Sequence, residues 1–128
     1  MVSSSGGAAS GRGPSTVKNY KAGEADFLVP DLFFAEFANI LWKAQLRGRC
    51  DATLADAAIL EVIGIGFPAF SSFSLIEAAI QIARAYQRTV YDCIYVALAV
   101  ETRSEVVTAD ERLANSLPGL PVVWLGLL

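Results

Sequence analysis

From Ala25 onward the chain alternates short apolar runs with longer stretches of helical period, and that alternation limits the folds open to it. "DFLVP" is a short apolar run closed by Pro30, which suits a strand entering a turn. Asp31 can then cap a helix running to Arg47, with Gly48 as its stop. "DATLADAAILEVIGIG" reads as a second helix, opened by the capping-box pattern Thr53-x-x-Asp56. "SLIEAAIQIARAYQR" reads as a third, with Ser74-x-x-Glu77 as its box, and "IGFPAFSSF" between them as loop with a little strand. A fourth helix covers "VYDCIYVALAVETR", preceded by Thr89. Then come a β-branched strand "EVVT", a short helix "ADERLANSL" and a last strand "PVVWL". Strands separated by helices imply βα units and a three-layered α/β fold around a parallel sheet. Ligands of such sheets bind beyond the carboxyl ends of the strands, where helices begin.

A chain of 128 residues, 54 % apolar and 18 % charged, suits one domain with a sizeable core. The composition changes near residue 20. Residues 1–20, "MVSSSGGAASGRGPSTVKNY", are Gly/Ser-rich without apolar period, and read as a disordered tail, a tag or a misassigned start. The folded domain is then expected over residues 21–128. A net charge of −3 and a pI near 4.8 exclude binding to nucleic acid by bulk charge, but leave room for a local basic rim around an acidic pocket. No signal peptide is visible, and the uncharged stretch Val62 to Ile76 is short for a membrane span and broken by Gly64, Gly66 and Pro68. Cys50 and Cys93 stand apart without metal-ligand spacing, as expected of reduced thiols. The expectation is a soluble, cytoplasmic protein without membrane contact.

There is no histidine. That removes Ser-His-Asp and Cys-His triads, a histidine general base and histidine-containing zinc sites. Carboxylates remain as reagents, and grouped carboxylates suit the hard cations Mg²⁺ and Mn²⁺.

Three carboxylates stand out, each with an ordinary structural explanation. Asp92 lies three residues after Thr89 and would complete a capping box. Asp110 follows "EVVT" closely and would serve as an N-cap. Glu36 is the hardest to explain, because "DLFFAEFANILW" surrounds it with Phe33, Phe34, Phe37 and Leu41. It shares a helical stripe with Asn39 and Lys43, which is either a solvated strip or a polar strip in a cleft between packed apolar faces. A parallel sheet would bring all three acids to one rim. There they would repel unless a cation sat between them, which favours metal-assisted hydrolysis of a phosphodiester.

Taken in order, "LVPDLFFAEFANILWKA", "TVYDCIYVALAV" and "VVTADERLA" resemble the PIN domain, and specifically the VapC-type toxin ribonucleases of bacterial toxin–antitoxin pairs. The resemblance spans roughly Ala22 to Leu128. It implies a compact α/β/α sandwich, and Glu36, Asp92 and Asp110 as catalytic acids that hold Mg²⁺ or Mn²⁺. Thr108 falls on a hydroxyl position beside the last of these, with Asn39 as a further supporting residue. The implied reaction is metal-dependent endonucleolytic cleavage of RNA, with a metal-bound water attacking phosphorus. The implied partners are an RNA substrate, a VapB-like antitoxin and a second copy in a homodimer.

The chain departs from that family at its start. Relatives begin with a central strand bearing an active-site aspartate, whereas residues 1–20 here contain no Asp or Glu. The resemblance therefore implies a sheet that lacks or replaces its first strand, with "STVKNY" a partial candidate, and three acidic ligands of four. Two functional readings stay open: a ribonuclease weakened by the missing ligand, and a non-catalytic PIN remnant that binds an antitoxin-like partner. A receiver-like phosphoacceptor ranks behind both, since no strand-end lysine is present.

Overall fold

The computed structural model describes residues 2–3, 27–108 and 111–124. Their elements follow in the order β1 (Val2–Ser3), β2 (Phe27–Pro30), α1 (Leu32–Leu46), α2 (Ala52–Ile65), β3 (Ala69–Phe70) and α3 (Ser72–Tyr86). Next come α4 (Val90–Thr102), β4 (Glu105–Thr108), α5 (Glu111–Ser116) and β5 (Val122–Trp124). The sheet order is β3-β2-β1-β4-β5. β2 pairs parallel with β3, and β4 with β5, whereas β1 is antiparallel to both its neighbours. β2 and β4 consequently run the same way, so β2 to β5 all point their carboxyl ends at one rim. The expected α/β architecture is present, with a parallel sheet save for its middle strand.

That middle strand is a substitution. Val2 lies between Leu28 and Val106 in register and is wholly buried. The central slot is therefore filled from within the segment expected to stand outside the fold. It is filled in the reverse direction and by Val2–Ser3; "STVKNY", the earlier candidate, lies outside the described residues. An apolar, β-branched side chain suits a place enclosed on both faces.

Helix starts depend on small polar residues, although two sit upstream of the expected boxes. Asp51 caps α2 by accepting the N–H of Leu54 at 2.8 Å, where Thr53 was expected. Ser71 caps α3 by accepting from Ser74 at 3.3 Å, so Ser74 is inside the helix and Glu77 closes no box. A cap was available two and three residues earlier, respectively, and lengthened each helix, adding backbone hydrogen bonds. Asp31 makes no side-chain cap to α1. Its carboxylate accepts the N–H of Ser72 instead, while Leu32 donates its own N–H to the Ser72 hydroxyl. The expected stop at Gly48 holds, with φ of 70° and its N–H donated to the carbonyl of Gln45 at 3.0 Å.

The core gathers around α4, which packs on α3 and on β1, β2 and β4. Cys93, Ile94 and the run Val96 to Ala99 are buried there with Leu75, Ala79, Val106 and Leu117. Each fully buried leucine or valine contributes on the order of 1.5–3 kcal/mol. A run buried at four successive positions explains why "VALA" shows no polar face: α4 is enclosed on nearly all sides.

The helix α1 behaves otherwise. Its sequence left open a solvated polar strip or a strip between packed faces, and none of its residues is buried. It lies on α2 and β2, leaving Ile40 64 % exposed with Trp42 and Leu46 similarly open. On α2, Leu54, Leu60, Ile63 and Ile65 are exposed as well. Among the described residues no second layer covers that face. No helix among the described residues is long and apolar enough to cross a membrane.

Candidate functional site

Two adjoining clefts hold the residues singled out by sequence. The larger, about 360 Å³, is lined by Glu36, Asn39 and Lys43 together with Phe33, Phe37, Ile40 and Tyr95. The stripe at helical spacing thus does occupy a cleft, although one open to solvent and not one wedged between packed faces. The smaller, about 180 Å³, is lined by Asp92, Tyr95, Thr108, Leu113 and the strand residues Val106 and Val107. Thr108 ends β4, so this cleft sits at the carboxyl rim of the sheet. Asp110, the third expected acid, lies outside the described residues.

Tyr95 is common to both clefts, and sequence reasoning missed it. Its hydroxyl donates to Glu36 Oε1 at 2.5 Å, joining α4 to α1 across 59 residues. The available signal was its spacing. Tyr95 stands three residues after Asp92, on the same helix face. Burial pushes its phenol far above the usual range, followed by the hydrogen bond to Glu36 and the negative fields of Glu36 and Asp92. Tyr95 is accordingly a neutral donor at every working pH. Among the described residues, Glu36 Oε2 has no protein partner.

Asp92 is only partly explained by its capping role. Thr89 Oγ1 accepts the Asp92 N–H at 3.1 Å, which is one half of a capping box. The reciprocal half is absent, because Asp92 Oδ2 pairs with the Arg88 guanidinium at 3.2 Å. Asp92 Oδ1 has no protein partner among the described residues. Arg88 Nε is buried and equally unpartnered there. Beneath Asp92, burial raises the Cys93 thiol above its usual range, the Asp92 charge adds to the shift and Arg88 opposes it.

The candidate metal-ligating groups that line these clefts are two carboxylates and the Thr108 hydroxyl. That chemistry fits Mg²⁺ or Mn²⁺ rather than a soft metal. Among the described residues no group of three or more His, Cys, Asp or Glu side chains could hold a metal. Glu36 and Asp92 are two, and Mg²⁺ sites commonly use one or two carboxylates with waters and substrate phosphates. The two described acids are compatible with such a cation.

Comparison with known proteins agrees with this arrangement. The PIN domain family model matches residues 12–116. Ribonuclease VapC3 of Pyrobaculum aerophilum is 37 % identical over 93 residues, covering 70 % of each chain. With the strand order, the rim position of Thr108 and the Glu36 and Asp92 clefts, these matches establish that the chain belongs to the PIN-domain family, among its VapC-type members.

Proposed function

We propose that the protein is a divalent-metal-dependent endoribonuclease acting as the toxin of a VapBC-like pair. The observation that carries this reading is the pair of clefts at Tyr95, in which Glu36 and Asp92 each keep one carboxylate oxygen without a described protein partner. Those oxygens, with Asp110 and the Thr108 hydroxyl, would hold Mg²⁺ or Mn²⁺. When bound, the cation polarises a phosphodiester and lowers the pKa of an attacking water. The chain's own groups serve around it. Lys43 offers a cation in the Glu36 cleft for an RNA phosphate, Asn39 offers hydrogen bonds, and Phe33 and Phe37 limit water on that side.

Partner and location follow the same reading. The exposed apolar side chains of α1 and α2 support a homodimer and a VapB-like antitoxin, since contiguous apolar surface of this kind marks association. A cytoplasmic site of action fits reduced Cys50 and Cys93.

The test is cleavage of RNA in Mn²⁺ by the folded protein and by Asp92→Asn and Glu36→Gln. Removing a ligand should lower the rate by a factor of 100 or more, at unchanged fold. Wild-type protein that cuts no RNA at high concentration overturns the enzyme reading. One observation favours the second reading, a non-catalytic PIN remnant that binds an antitoxin-like partner: residues 1–20 contain no Asp or Glu to supply a further acidic ligand. Antitoxin binding by a chain inactive on all RNA would establish it.

A further inference from the structure

We infer that Tyr95 is a positioning residue that fixes the Glu36 carboxylate relative to Asp92, so that Glu36 turns its free oxygen to a shared cation. The inference rests on the metal-dependent reading above and goes beyond it in naming what aligns the two acids. Glu36 and Asp92 belong to different helices. α1 leans on α2 and β2, whereas α4 is embedded in the core. No residue of α1 is fully buried, although Leu32, one turn before Glu36, packs partly buried against the core. The Tyr95 hydroxyl ties the turn that carries Glu36 to α4. It is carried by the rigid helix, one turn from Asp92, and donates to Oε1 of the acid on the exposed helix.

The chemistry suits that task. A carboxylate that accepts one strong hydrogen bond has one oxygen committed and its plane fixed, leaving Oε2 as the metal-facing atom. A phenol can donate in this way without bringing a charge that would compete with the cation. A lysine in its place would neutralise the acid, and a phenylalanine would leave it to rotate. Tyr95 also walls both clefts, the one lined by Glu36 and the one lined by Asp92, so the bond sits between them.

The experiment measures Mn²⁺ binding by calorimetry and by the spin-resonance signal of free Mn²⁺, on the full chain without RNA. Wild type, Tyr95→Phe, Glu36→Gln, Asp92→Asn and the Tyr95→Phe/Glu36→Gln double variant are compared, each with a thermal melt. Loss of the hydroxyl should weaken Mn²⁺ binding about 10–100-fold, as removal of outer-sphere partners does, at a similar melting temperature. The double variant should bind no more weakly than Glu36→Gln alone, because Tyr95 acts through Glu36. Tyr95→Phe binding Mn²⁺ like wild type, while Asp92→Asn loses it, overturns the positioning role and leaves the metal reading intact. A wild type that binds no Mn²⁺ overturns both, and an additive double variant overturns the coupling to Glu36.

Discussion

The Asp31 carboxylate and the first turn of helix α3 hold each other across the sheet edge. Ser72 donates its N–H to Asp31 Oδ1 at 3.1 Å, while its hydroxyl accepts the N–H of Leu32 at 3.2 Å. Asp31 therefore serves the N-terminus of a helix 41 positions away rather than its own, where the positive end of the dipole favours an anion. The Ser72 hydroxyl and N–H hold its carboxyl below the usual range, against a smaller opposing effect of desolvation. A depressed folded pKa means that the contribution is complete above the ordinary Asp pKa and disappears as pH falls through the depressed one. Asp31→Asn should thus melt below wild type at neutral pH, and the gap should close as the pH falls through the acid range. Melting curves from pH 7 downward check this.

Legibility in the sequence divided along one physical line. Features set by local chemistry were readable: the strands "FLVP" and "EVVT", the Gly48 stop and the Thr89 cap all lie where residue type and spacing put them. The starts of α2 and α3 moved upstream because Asp51 and Ser71 compete with Thr53 and Ser74 for the same role, and spacing alone does not rank two adequate caps. Asp31 was misassigned because its partner is remote in sequence. The exposure of α1 was left open because apolar content reports a tendency to be covered, not what covers it. Glu36 stood out as an acid in an apolar helix and Asp92 as an acid at a helix start, but Tyr95 did not, since an aromatic at helical spacing reads as core.

Gly64 and Gly66 make a matched pair for separating side-chain space from backbone freedom. An added Cβ meets nothing within 4 Å at either position. Gly64 lies inside α2, where alanine should stabilise by about 0.5–1 kcal/mol. Gly66 has φ of 72° and ends the helix in the left-handed region, so alanine there should cost about 1 kcal/mol. Opposite shifts in urea midpoint, at unchanged m-value, are the expected result.

The two thiols should differ in reactivity. Cys93 is buried and its thiol is held neutral by desolvation, whereas Cys50 is partly exposed, with Sγ 3.9 Å from the Leu41 carbonyl. In a DTNB titration of native protein, Cys50 should react and Cys93 should wait for denaturant. Equal rates would mean that the core around α4 opens readily.

Arg88 pairs with Asp92 in a geometry that leaves about a third of each side chain exposed, 28 % and 35 %. Pairs this open contribute roughly 0–1 kcal/mol, and Arg88 also buries an Nε without a described partner. Arg88→Met should therefore shift stability by less than about 1 kcal/mol. A larger loss in chemical denaturation would show that the ion pair matters more to folding than its exposure implies.

Among the described residues, the two halves of the sheet, β3-β2 and β4-β5, meet on Val2 and Ser3. α4 lies over that seam and bridges the halves, resting on β1, β2 and β4 alike. That helix also carries Asp92 and Tyr95. The spine of the scaffold and the bench on which the reagents stand are one part, so any bend in α4 would misalign the sheet and the acids together.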